Sequence, residues 1–210
     1  MIYIKKGNEP QSLMQYRLST PNASYDGLGA AIMDDIRTKL LSEQGSICAY
    51  CMSRVKMETI SIEHYIAQNP ERENNSSDLD YQNMLGVCPG NEGNPYKKQT
   101  CDRHKRNIPL TVNPSVKSTI STILYTSDGF ITSTNSEINK DLNDTLNLNF
   151  NILVGNRKSA LDTLKRELIK RKQANTWKTM ARQYISILDE AEEKVPYCGI
   201  LLWYLRLKVK

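Results

Sequence analysis

Four cysteines fall within residues 48–101, and they constrain the fold more than any other feature of the chain. Cys48 and Cys51 form a C-x-x-C pair in "CAYC", and Cys88 and Cys101 follow with twelve residues between them. A C-x-x-C turn lets two thiolates converge on one tetrahedral ion, and a second pair completes the shell. The alternatives are small buried hydrophobes or redox thiols. No thioredoxin-like βαβ pattern surrounds "CAYC", so the spacing favours zinc held by Cys48, Cys51, Cys88 and Cys101. Such an ion is structural, because four cysteines leave no open position for a substrate. Apparent zinc binding in sites of this kind is on the order of 10–16 kcal/mol, against about 5–15 kcal/mol for the stability of a whole domain. The metal is then able to decide whether residues 48–105 fold at all. The fifth cysteine, Cys198, stands far apart and reads as buried packing.

A chain of 210 residues, 39% hydrophobic and 24% charged, can form one good-sized domain or two small ones. The longest apolar run, "CGILLWYLRL", is too short for a membrane span and ends at Arg206. The start, "MIYIKKGNEPQ", lacks the apolar core of a secretory signal. These features lead us to expect a cytoplasmic protein, where cysteines serve as metal ligands more often than as disulfides. The formal charge of +5 is a mild pointer to a polyanionic partner. Its distribution says more. Lys97, Lys98, Arg103, Lys105 and Arg106 crowd around Cys101 and, with Arg54, are the candidate contacts to nucleic-acid phosphates. A second group, Lys158, Lys165, Arg166, Lys170, Arg171 and Lys172, reads as a solvated helix face.

Residues 1–27 are polar and turn-rich and read as an N-terminal arm. Ile32, Ile36 and Leu40 recur every four residues, which predicts an amphipathic helix over 28–42 with Asp26 as N-cap and Gly45 at its exit. "RVKMETISIEHYI" alternates roughly and predicts a short hairpin or bent strand ending near His64. A polar loop, "QNPERENNSSDLD", follows. A short helix is expected from Cys101 to before Pro109, and a hairpin turning at Asp128-Gly129. From Asn139 onward the signal is helical, with Leu153, Leu161, Leu164 and Leu168 on one stripe. The break in character near 110–115 suggests a domain over 28–112 and a mainly helical region over 113–210.

Between and after the cysteines stand "IEHY", "DYQNMLGVC" and "CDRHK". The order C-x-x-C, carboxylate-His, Asn-x4-Cys, Cys-polar-x-x-Lys resembles the HNH endonuclease family in its zinc-stapled form. "MIYIKKGNEP", "CAYC", "NMLGVCPGNEG" and "LNLNFNILVGNRKSALDTL" look closer still to the HNH subunit of Septu-type anti-phage defence systems, also found with some retrons. The resemblance implies an α+β fold with a ββα-metal core and an ATPase partner of the ABC/SMC-like type, on which the arm or the helical half docks. By position it implies roles for four residues. His64 matches the general base, and Glu63 the acidic position that helps hold a divalent cation. Asn83 matches the middle Asn that orients the loop carrying the base. Asp102 stands in place of the last His or Asn, the second metal ligand, with His104 as the rival. The motif thus reads H-N-D, and the loop 89–100 stretches the usual cysteine spacing.

These residue types suit phosphodiester hydrolysis. The reaction needs an activated water and relief of charge on the departing oxygen. A neutral imidazole near its usual pKa does the first. Carboxylates such as Glu63 and Asp102 hold the Mg²⁺ or Mn²⁺ that does the second. Neighbours on a regular strand point to opposite faces, so Glu63 and His64 can share a site only if the strand ends or bends there. The competing reading is a zinc-stapled module that grips nucleic acid or a partner without cutting. Nothing in the sequence separates DNA from RNA, although HNH domains favour DNA.

Overall fold

The computed structural model describes residues 1–68, 78–170 and 177–209. The chain is α+β, with two small two-stranded sheets and a helical C-terminal region. Most of the polar loop expected after His64, together with Arg171 and Lys172 of the basic cluster, lies outside the described residues.

Helix α1 (Gln11–Ser19) and helix α2 (Ala30–Gln44) open the chain. The periodicity at Ile32, Ile36 and Leu40 is realised in α2, which buries Ile36 and Leu40. Its N-cap is Gly29 rather than Asp26, which instead lies in a 3-10 turn at Tyr25–Gly27. At its far end Gly45 takes φ 63°, the left-handed conformation that lets the chain leave a helix abruptly. The last helical side chain, Gln44, then links α2 to the first sheet. Its amide nitrogen donates to Ile47 O (2.9 Å) and Gly86 O (2.7 Å), and its oxygen accepts from Gly86 N (2.7 Å). A buried amide satisfied on both sides is a strong locator, because any shift leaves polar atoms unpaired.

Strand β1 (Ser61–His64) pairs antiparallel with β2 (Met84–Val87), His64 opposite Met84 and Glu63 opposite Leu85. The partner of β1 therefore comes from beyond the polar loop, and among the described residues the 54–60 stretch pairs through one isolated bridge, from Arg54 to Ile47. Helix α3 (Cys101–Lys105) follows. After the short α4 (Lys117–Ile120), β3 (Ile123–Tyr125) and β4 (Ile131–Ser133) make the expected hairpin, with Gly129 at φ 93°. Helices α5 (Ser136–Lys140), α6 (Asn151–Lys170), α7 (Trp177–Glu190) and α8 (Cys198–Val209) complete the chain. The leucine stripe of α6 faces inward, with Leu153, Leu161, Leu164 and Leu168 all buried.

Two features bear on the organisation of the chain. Residues 1–27, read as an N-terminal arm, pack onto the rest of the molecule. Met1, Ile4 and Leu13 are buried in the core, Ile4 N donates to Pro114 O (2.9 Å), and Ser12 Oγ bonds Asp35 on α2 (2.6 Å). A few apolar residues in a polar stretch suffice once a groove exists to receive them. Among the described residues one hydrophobic cluster runs from Met1 to Leu205, on both sides of 110–115. The backbone crosses the expected boundary repeatedly, as Cys101 N meets Leu146 O, Lys194 N meets Gly45 O, and Tyr197 N meets Met52 O, each at 2.9 Å. Among the described residues no helix is long and apolar enough to cross a membrane.

Candidate active site

The four cysteines come together. Their sulfurs all lie within 4.8 Å of one another. A tetrahedral ion with bonds of about 2.3 Å sets its ligand sulfurs about 3.8 Å apart. The observed Cys51–Cys88, Cys88–Cys101 and Cys48–Cys101 separations are 3.7, 3.8 and 3.9 Å. Four thiols this close resist ionising together. Burial pushes Cys48 well up, and hydrogen bonding with the neighbouring sulfurs pushes Cys101 well up. A bound dication inverts that preference, since a coordinating thiol is deprotonated outright. The donor set and its spacing therefore fit a metal such as zinc. The cluster sits between the turn at "CAYC", the end of β2 and the start of α3, and it joins all three. Cys198 lies buried in α8 and is not part of it.

Beside the cluster is an open groove of about 680 Å³. Glu63, His64, Asp102, Arg103 and Arg106 line it. Glu63 and His64 share it although they are sequence neighbours. His64 is the last residue of β1, and the backbone bends at Tyr65–Ile66 directly afterwards. That bend is held by Asn83. Its side-chain oxygen accepts from Ile66 N (2.8 Å) and its amide donates to Ile66 O (3.0 Å), while Tyr65 N donates to Asn83 O (2.9 Å).

His64 is buried, with Nε2 2.9 Å from the carbonyl oxygen of Asp78. A carbonyl only accepts, so Nε2 carries the hydrogen and Nδ1 keeps its lone pair. Burial holds the imidazole below its ordinary pKa, hence neutral around pH 7. Tyr25 packs edge-on against the ring, with centroids 4.6 Å apart. A residue of the 1–27 stretch thus packs against the histidine of the site.

Glu63 is buried and lines the groove together with Asp102. Burial, and then the neighbouring Asp102 carboxylate, push its pKa up to about 8; Lys105 opposes them. The Lys105 ammonium is 2.6 Å from Glu63 Oε1 and 3.3 Å from His64 O. Tyr50 donates to the same Oε1 at 3.2 Å. Two carboxylates lining one groove are a donor set for a hard dication.

The rival positions separate cleanly. Asp102 faces the groove, whereas His104 faces away from it. His104 Nδ1 is 3.0 Å from Thr145 O, and its ring stacks on Tyr96 with centroids 4.2 Å apart and planes 9° from parallel. Two of the six expected phosphate contacts have partners within the protein. Lys105 is 1% exposed and committed to Glu63. Arg54 is tied to Glu193 (2.9 Å), Ser46 O (3.1 Å) and Lys194 O (2.7 Å), fastening the C-terminal loop to the cysteine turn. Arg103 and Arg106 line the groove, Arg103 paired with Glu92 at 3.0 Å and Arg106 over the Tyr96 ring at 4.4 Å. Lys97 and Lys98 are exposed in the chain just before Gln99, which also lines it. Tyr25 and Tyr50, which carry no catalytic motif signal in the sequence, also pack into the site. The one signal available for Tyr50 was its place inside the C-x-x-C turn.

No family model matches the chain. It is 24% identical over 136 residues to a protein named "Retron Vc95 putative HNH endonuclease" from Vibrio cholerae serotype O1 biovar El Tor. The match covers 62% of this chain and 65% of the relative, so the chain spans a little under two thirds of that protein's length. The likeness is distant. It supports the HNH family and suggests nuclease function.

Proposed function

We propose that this chain is a metal-dependent HNH endonuclease of the ββα-metal type, the nuclease subunit of a cytoplasmic anti-phage defence complex akin to Septu systems and to some retrons. An ATPase of the ABC/SMC-like type controls it. The substrate is nucleic acid, with DNA favoured and a structured RNA such as tRNA the other candidate. One observation carries the reading: a histidine whose Nε2 is held by the Asp78 carbonyl lines the same groove as two carboxylates, Glu63 and Asp102. The distant likeness to a protein named as a retron HNH endonuclease supports it independently.

Zinc would be held by Cys48, Cys51, Cys88 and Cys101 and would act only as a cross-link. Glu63 and Asp102 would hold Mg²⁺ or Mn²⁺, which supplies charge relief at the scissile phosphate. The remaining work falls to the chain's own side chains. Nδ1 of His64 takes the proton from the attacking water, and the Asp78 carbonyl fixes the tautomer that makes this possible. Asn83 holds the bend that turns His64 toward the groove. Arg103 and Arg106 seat backbone phosphates, with Lys97 and Lys98 extending the basic surface.

The deciding experiment incubates the purified ATPase-containing complex with labelled plasmid DNA and with total RNA, in Mg²⁺ or Mn²⁺, and maps the products. Cleavage that disappears in His64→Ala upholds the reading. No cleavage of either substrate by the wild-type complex would favour a zinc-stapled binding module instead.

A further inference from the structure

Tyr50 stands between Cys48 and Cys51, in the turn between two sulfurs of the cluster. It is fully buried. Its backbone is held from both sides, since Ala49 N donates to Gly86 O (3.0 Å) and Met52 N to Cys48 O (3.0 Å). From there the ring carries its hydroxyl to Glu63, 3.2 Å from Oε1. Lys105 Nζ reaches the same oxygen at 2.6 Å from α3. One carboxylate oxygen thus receives two donors from two different elements, both of which begin at a cysteine of the cluster. The Glu63 carboxylate cannot rotate about its last bond without breaking both contacts. Oε2 carries neither.

We propose that Tyr50 is a positioning residue for Glu63, through which the cysteine cluster sets the geometry of the groove. The contact stands on the structure alone; its catalytic consequence rests on the nuclease reading. A hydrogen bond to a metal-holding carboxylate orients it, and loss of such a partner typically costs about 10- to 100-fold in metal affinity or activity.

The test compares Tyr50→Phe with Tyr81→Phe in the full chain. Tyr81 is the control because it is also buried and also donates to a carboxylate, Glu43 at 2.8 Å, away from the groove. The first readout uses no divalent cation: the side-chain carboxyl ¹³C resonance of Glu63, assigned by its loss in Glu63→Gln. Tyr50→Phe is expected to move it and Tyr81→Phe to leave it. The second readout is Mn²⁺ binding followed by electron paramagnetic resonance. Tyr50→Phe is expected to weaken it about tenfold with zinc content unchanged, and Tyr81→Phe to leave it. An unmoved Glu63 resonance overturns the proposal, as does equal loss of Mn²⁺ affinity in both variants. Loss of zinc from Tyr50→Phe also overturns it, because the side chain would then serve the cluster alone. If the resonance moves while the wild-type protein neither binds Mn²⁺ nor cuts, the positioning contact stands and the nuclease reading falls.

Discussion

Lys105 and Glu63 form an ion pair at 2.6 Å with both side chains withdrawn from solvent. A buried lysine is costly unless it is paired, and this one also reaches two backbone carbonyls, of His64 and Arg106. It therefore locks α3 to the end of β1 and keeps a cation beside two crowded carboxylates.

Removing that cation should cost stability. Breaking a buried pair typically costs about 3–5 kcal/mol. Lys105→Met is expected near the low end, about 3 kcal/mol, because burial and Asp102 already hold the Glu63 pKa up and the carboxyl is readily left neutral. Lys97→Ala, at an exposed site, should stay within about 0.5 kcal/mol. Urea unfolding monitored by circular dichroism checks both.

The cysteine cluster should carry about one zinc per chain, released by chelation only with loss of structure. Cys51→Ser should lower the zinc content. Cys198→Ser should leave it unchanged, since Cys198 is packed in α8 and lies outside the cluster. Metal analysis of the two purified variants is the measurement.

His64→Ala should reduce cleavage by about 10²- to 10⁴-fold while leaving fold and zinc intact. Asp102→Ala should be comparably severe, through loss of an oxygen ligand. His104→Ala should behave differently. It leaves Thr145 O without its buried partner and removes the stack on Tyr96, so it should lose about 1–3 kcal/mol of stability while cutting normally per folded molecule. Plasmid nicking, normalised to the folded fraction, separates the three. Abolition by His104→Ala alone would reverse the ligand assignment.

Asn83→Ala removes both side-chain bonds to Ile66 and so frees the bend after His64. Stability should fall by about 1–2 kcal/mol, and cleavage should slow by more than that loss of folded protein explains. Single-turnover rates at a temperature where the variant is fully folded would show it.

Arg106→Ala should weaken nucleic-acid binding without regard to sequence and lower the slope of log K against log salt by about 1. Arg54→Ala should leave that slope unchanged, since its guanidinium is bound to Glu193 and backbone carbonyls away from the groove. Fluorescence anisotropy at several salt concentrations gives both slopes.

The sequence by itself determined what local chemistry can determine. Cysteine spacing gave the cluster, because a C-x-x-C turn has few ways to place its sulfurs. Four-residue periodicity gave α2, the leucine stripe gave the buried face of α6, and Asp-Gly gave the β3–β4 turn. It also gave the directions within α3: residues 102 and 105 lie three apart on one face of a helix and 104 on another. Which face meets Glu63 was not legible, because that depends on β1 pairing with a strand from beyond the polar loop, and a four-residue strand carries little register information of its own. Only the tertiary structure turned Lys105 and Arg54 from surface cations into internal ties. A lysine's long apolar stem suits either fate, and only the presence of a buried carboxylate decides between them. The same holds for residues 1–27, whose few apolar side chains are buried because the rest of the molecule offers them a groove.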